Sequence, residues 1–298
     1  MPIEKYRGTL PAVPGLDDDS PILVRDPRTF GDARLQLHWA AQTIVAVTDV
    51  ALERLSDDSQ SNLDFDIEPG VLCSRLLPSG WAVGLTALHG NEPLIGAIPG
   101  SPSADGKKFF LHGRTMGDVL EWLESTVPDL RGQSLKLRDY EMPDHAVGRG
   151  EAFDMATDRE GIEQFWDALG FASPVLFQVQ RGEPLMTDAR LWPHHFDWGS
   201  LIGLREGTDF ANDPSIGVGW SPGDEQTPEP YYYVNAYGAD RPEELPALPW
   251  DGYWVSSGVS ARVLERSFPW DGSVSPFEPP KEFLTAAIGA CRALLADA

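Results

Sequence analysis

The sequence predicts an α+β protein in which antiparallel β-sheets are flanked by amphipathic helices, built as two pseudo-similar helix–strands–helix halves packed into one unit. Three observations carry this expectation. Apolar residues recur at three- and four-residue spacing in separate stretches, the period of a helix with one buried face. Between those stretches lie short runs in which apolar and polar residues alternate, the period of a strand with one solvated face. Helix, strands and helix then follow one another twice, with the two halves meeting near residues 140–155. The expected division is an irregular N-terminal arm over 1–30, a first α+β half over 31–145 and a second over 150–298.

The arm is rich in proline and holds the acidic run "LDDDS". "DARLQLHWAAQTIVAVTDVALERL" predicts a helix over 33–55, with Asp32 as its cap and Leu37, Ala41, Ile44, Val45, Thr48, Ala51, Leu52 and Leu55 on the apolar face. "NLDFDIE" turns Leu63, Phe65 and Ile67 one way and its acids the other, as a half-solvated strand does. "VLCSRLL" and "WAVGLTALHG" flank Pro78-Ser79-Gly80 and read as a hairpin, and "KKFFLHG" as a further strand. In "RTMGDVLEWLESTVP" Thr115 and Asp118 form a capping box, Met116, Val119, Leu120 and Leu123 an apolar stripe, and Pro128 a stop.

The second half opens with "TDREGIEQFWDALGF", a helix capped by Thr157 and Glu160 and ending at Gly170. Segment 171–180, "FASPVLFQVQ", fits a short helix and a strand equally well. Strands are expected over 189–198, 215–220, 230–237 and 252–257. The closing "PPKEFLTAAIGACRALLADA" is an amphipathic helix behind a proline start.

Charge narrows the classes of partner. Against 23 lysines and arginines stand 46 aspartates and glutamates, a net charge of -23. A field of that sign repels phosphate backbones and anionic lipid, so neither nucleic acid nor membrane is an expected partner. Cys73 and Cys291 are too few and too far apart for a disulfide framework or a CxxC metal knuckle. The first residues lack a basic stretch followed by an apolar one, and no run reaches the roughly 18 apolar residues of a membrane span, so a cytoplasmic protein is expected. The glycines of "GVGWSPG" lack a strand-then-helix setting, so neither a phosphate-binding loop nor a nucleophile elbow is read there; no Walker lysine is present, and the sequence names no cofactor.

The densest chemistry lies in "LWPHHFDWG", residues 191–199. Read as a strand, it puts Trp192, His194, Phe196 and Trp198 on a core face and Leu191, Pro193, His195 and Asp197 on the other. His195 and Asp197 then converge. "EPYYYVNAY" adds Glu229, Tyr231, Tyr233, Asn235 and Tyr237 on one face and the more apolar Tyr232, Val234 and Ala236 on the other. Gly217 and Gly219 alternate along "SIGVGW" and leave room for a ligand or a neighbouring backbone. The reading that follows is a soluble small-molecule-binding protein, its cleft in the second half lined by His195, Asp197, Glu229, Tyr231 and Tyr233, with His195 and Asp197 as candidate acid–base groups. A metal-dependent enzyme using His194, His195, Asp197 and Glu229 is the alternative, since imidazoles and carboxylates make a sound first shell for zinc, iron or manganese. The same residues would also satisfy one another inside an aromatic sheet, which describes a structural or interaction protein with no small ligand. "SPGDEQTPEP" reads as a loop with Asp224 and Glu225 at its solvated tip; His38 reads as a satisfied core histidine, and His89, His112 and His145 as lacking nearby partners.

"LQLHWAAQTIVAVTDVAL", "GIEQFWDALG", "PHHFDWGSL", "IGVGWSPGD" and "EPYYYVNAY" together resemble an uncharacterised bacterial family of unknown function. Its members carry a "W.Q" helix, an "FW" helix, an "HFxWGSFDL"-like strand, an "FWPG" segment and an "EPAFYxYAY"-like strand in this order. The resemblance spans residues 30–297; the second histidine and Asp197 depart from the pattern. It implies strands near 195 and 231 and one integrated unit, and carries no activity.

Overall fold

The computed structural model describes residues 27–67, 70–86, 93–99, 106–270 and 272–296. Residues 1–26 of the expected arm, and His89, lie outside them. The fold is α+β, with two antiparallel sheets and, among the described residues, four α-helices. No helix among these residues is long and apolar enough to cross a membrane. The described residues fall into two compact units, an N-terminal one within 24–167 and 190–196 and a C-terminal one within 168–189 and 197–298.

The N-terminal unit contains α1 (Pro27–Ala51), β1 (Asp64–Asp66), β2 (Val71–Cys73), β3 (Trp81–Thr86), β4 (Leu94–Pro99), β5 (Lys107–Phe110), α2 (Met116–Thr126), the start of α3 (Arg159–Gly182) and β6 (Arg190–Trp192). Strands β1 to β5 lie side by side in chain order. The hairpin at Pro78–Gly80 forms as expected, closed by Leu77 N–H to the Trp81 carbonyl at 2.7 Å. β4 has no counterpart among the expected strands, because "LIGAIP" shows no apolar–polar alternation. α1 starts earlier and stops earlier than its periodicity predicts: Pro27 occupies its first position, and Leu55 is exposed. Asp32 therefore lies inside the helix instead of capping it. The capping box of Thr115 and Asp118 is present on α2. Gly161 of α3 touches α1 closely; a Cβ there would stand 2.6 Å from the Thr29 carbonyl carbon and 2.9 Å from Ala33 Cβ.

The C-terminal unit holds the rest of α3, β7 (Asp197–Gly203), β8 (Ser215–Ser221), β9 (Tyr231–Tyr237), β10 (Tyr253–Trp254), β11 (Ser260–Leu264) and α4 (Glu278–Ala296). The ambiguous segment 171–180 is helical: α3 runs through Gly170 and contains Pro174. Phe171, Val175, Leu176 and Val179 recur at helical spacing and are all buried, and burial of that stripe outweighs the helix-breaking residues. The strands run in the spatial order β10-β11-β9-β8-β7, all antiparallel. Trp198, Trp220, Tyr232 and Val263 fall in cross-strand register on one face, and α4 packs against β8 and β9 with Phe283, Leu284, Ala287, Ile288 and Cys291 buried.

Candidate functional site

"LWPHHFDWG" is not one strand. β6 ends at Trp192, residues 193–196 form a turn, and β7 begins at Asp197. Two backbone facts impose the break: Pro193 has no N–H for a ladder, and Phe196 sits at φ 57, the left-handed region. The expected alternation therefore fails here. Phe196 and Trp198 are core as predicted, His194 is half-buried, His195 is exposed, and Asp197 is buried. His195 belongs to the N-terminal unit, while Asp197, Glu229, Tyr231 and Tyr233 belong to the C-terminal one.

α1 holds the turn from inside. The Pro193 carbonyl accepts hydrogen bonds from Gln42 Nε2 at 2.8 Å and His38 Nε2 at 2.7 Å. The His38 ring stacks on Phe196 at 4.9 Å, and Phe196 on Phe165 at 5.1 Å. Burial drives His38 down to about 3, so it is neutral and donates from Nε2. The core-histidine reading is thus right, with a specific duty added: His38 fixes the turn that carries the other two histidines.

On the outer side the rings of His194 and His195 lie 4.2 Å apart, with Trp192 at 6.0 Å and Tyr140 at 5.9 Å from His194. Burial, and then the neighbouring His195, lower His194 to about 4, so it too is neutral at pH 7. Tyr140 is oriented by Arg138, whose Nη1 donates to its hydroxyl at 2.6 Å and whose guanidinium sits 5.2 Å from its ring. Arg138 is in turn held by Asp49 and by Asp58 at 3.2 Å. Asp58 has φ 54, so non-glycine left-handed residues stand at both ends of this constellation, Asp58 beside the arginine and Phe196 beside the histidines.

The tyrosine strand follows its prediction and then closes on itself. Tyr232, Val234 and Ala236 are buried on the core side. The space over the glycines is filled by tyrosine rings: a Cβ on Gly219 would meet Tyr233 Cζ at 2.7 Å, and one on Gly217 would meet Tyr237 Cε2 at 2.7 Å. Tyr233 donates to Asp197 Oδ2. Tyr231 donates to Asp224 Oδ2 at 2.6 Å, while Arg262 lies 4.5 Å over the Tyr231 ring and 3.4 Å from the same carboxylate. Asp224 is thus a half-buried, partnered group, while Glu225 beside it is exposed as expected. Burial alone would raise Asp224, but the Tyr231 hydroxyl, the Thr227 amide and Arg262 hold it below the usual carboxylate range. Glu229 lies outside β9 and pairs with Arg266 at 2.7 Å.

Among the described residues, no group of three histidines, cysteines, aspartates or glutamates could hold a metal ion. Sequence reasoning missed a different cluster. His145 Nε2 lies 3.2 Å from Asp32 Oδ1, and His112 Nδ1 lies 3.6 Å from Asp154 Oδ1, so both histidines have partners. Gln36 Nε2 reaches Asp32 Oδ2 at 3.1 Å and Asp158 Oδ2 at 2.5 Å. More than 110 residues separate Asp32 and Gln36 from these partners; only the four-residue spacing of Asp32 and Gln36, one helical turn, was visible in the sequence.

Compared with known proteins, the chain matches no family model, no curated protein and no solved structure.

Proposed function

We propose that the protein binds a small molecule at the His194–His195 turn of the N-terminal unit. One observation carries this reading: a neutral half-buried imidazole and an exposed one stand together among Trp192 and Tyr140, on a turn fixed from beneath by His38 and Gln42. The neutral His194 imidazole offers one donor and one acceptor, and the indole and phenol offer π faces. With Asp49 and Asp58 neutralising Arg138 and a net charge of -23 around it, the fitting ligand is a planar, neutral or cationic heterocycle and not an anion. The C-terminal unit offers a second place for a small molecule, a groove of about 550 Å³ lined by Leu185, Leu204, Arg292 and Leu295, within the size range of ligand pockets.

Ligand-detected NMR with a library of neutral and cationic heterocycles separates the two. Binding that is lost in His195→Ala and kept in Arg292→Ala supports the turn. Loss in Arg292→Ala alone moves the site to the groove. No binder at millimolar concentration ends the reading.

A further inference from the structure

We propose that Asp32 and Asp158 form a proton-sharing latch that ties the start of α1 to the start of α3 and loosens when the shared proton leaves. This does not rest on the ligand reading above.

Asp158 lies immediately before α3, is buried, and its carbonyl accepts from Ile162 N–H in the first turn of that helix at 2.9 Å. Asp32 lies in α1. The Gln36 amide joins them, donating to both Oδ2 atoms, while its Oε1 accepts from the Asp154 N–H at 2.8 Å. The two helices have no slack, because at Gly161 α3 meets the α1 backbone at Thr29. Two ionised carboxylates around one amide nitrogen repel, and such tight packing leaves movement of a helix end as the relief.

The surrounding charges decide which carboxyl keeps the proton. From α1 Asp158 faces Asp32, and from the preceding segment Asp154, both acidic. Neither imidazole is aimed at Asp158: His145 is directed at Asp32 and His112 at Asp154. His145 Nδ1 accepts from the Val147 N–H at 3.2 Å, which leaves the proton on Nε2, the atom facing Asp32. Asp32 is exposed; against the partial desolvation that alone would raise it, the hydrogen bond from Asp158 and the His145 imidazole keep it below its ordinary value. Burial first, and then the hydrogen bond with Asp32 and its charge, push Asp158 up to about 7. At mildly acid pH Asp158 is thus the donor and Asp32 the acceptor; toward alkaline pH the donor is lost. The sign follows from linkage: an acid raised in the folded state destabilises that state progressively as pH climbs from about 4 to about 7.

The test is a carboxyl-carbon NMR titration of the full chain labelled at aspartate, run beside hydrogen exchange. One aspartate should titrate near neutrality, vanish from the spectrum in Asp158→Asn, and move toward the ordinary range in Asp32→Asn. Amides in the first turns of α1 and α3 should exchange roughly tenfold faster above that transition, after correction for intrinsic rates, in wild type but not in Asp158→Asn. If every aspartate titrates below about pH 5, or exchange rises equally in both proteins, the latch is wrong. Should Asp158→Asn fail to fold, the wild-type titration with Asp32→Asn decides alone: a near-neutral midpoint that Asp32→Asn lowers supports the latch, and its absence or indifference overturns it.

Discussion

The turn at 193–196 and the strand β9 begin from similar material, runs of aromatics mixed with polar groups, and end in opposite states. In "EPYYYVNAY" every residue of β9 can join the ladder, so period-two alternation holds and each tyrosine lands where its register predicts. In "LWPHHFDWG" one missing N–H and one left-handed residue break the ladder, and four residues leave the sheet. On the face away from the core the strand then satisfies its phenols: Tyr231 meets Asp224, Tyr233 meets Asp197, and rings cover the glycines, while the buried Tyr232 hydroxyl on the core face has no hydrogen-bond partner among the described residues. The turn is held from beneath by His38 and Gln42 at the Pro193 carbonyl, and it leaves His195 exposed. A cluster that completes its own hydrogen bonds is architecture, whereas one supported from below and open above has capacity left for a ligand.

That contrast sets an order of mutational cost. Tyr233→Ala should be the most damaging change, since it removes the ring packed over Gly199 and Gly219 and leaves Asp197 without its phenol. A loss of roughly 3 kcal/mol in urea unfolding is expected, the low end for aromatics truncated to alanine, because Tyr233 is half-buried. A loss below about 1 kcal/mol would mean the tyrosine face is not closed.

The second change concerns the charge hidden behind that sheet. Glu265 is buried, accepts from Trp220 Nε1 at 2.6 Å, and is pushed up to about 8 by its burial, with the Trp220 bond opposing only in part. Its folded value lies above its unfolded one, so the protein loses stability as pH rises from about 4.5 to about 8. Glu265→Gln keeps the acceptor and removes the ionisation. Unfolding free energies of variant and wild type should coincide near pH 4 and diverge by pH 8, the variant more stable by on the order of 2–4 kcal/mol. Parallel curves would show that Glu265 ionises at its ordinary value.

His38 gives the opposite slope in the other unit. Its folded value is depressed to about 3, so the stability it contributes is present above its unfolded value of 6.5 and is lost as pH falls toward 3. His38→Leu should cost about 1–3 kcal/mol at pH 7, where a hydrogen bond to the Pro193 carbonyl disappears, and should flatten the acid limb of the stability curve. An unchanged acid limb would exclude His38 as its source.

How much of this was legible depends on the range of the interaction. The α+β class, the capping box of α2, the hairpin at Pro78–Gly80 and the two faces of β9 are local patterns, set by periodicity and turn chemistry, and the sequence predicts them. Pro193 was a visible warning, but the left-handed Phe196 was not, because no Asn, Asp or Gly marks it. α3 runs through Gly170 and Pro174 because tertiary burial outweighs their propensity. The partners of Asp224 and Asp32 were hidden for a different reason. Arg262 sits on β11, a strand the sequence did not announce, and Asp158 lies 126 positions beyond Asp32 (158 − 32). Nothing periodic connects residues brought together only by packing.

The smallest effect on stability is the one most informative about function. His195 is exposed and at the crest of the turn, so His195→Ala should change unfolding free energy by no more than about 0.5 kcal/mol. Its consequence for binding should be large, because the exposed imidazole is the group a ligand meets first. A variant as stable as wild type that has lost at least tenfold in affinity for the heterocycle separates recognition from folding at this position. If His195→Ala were as destabilising as His38→Leu, the outer imidazole would also be part of the turn's support. The distinction between a closed tyrosine face and an open histidine turn would then collapse, since both regions would be consuming their polar groups internally.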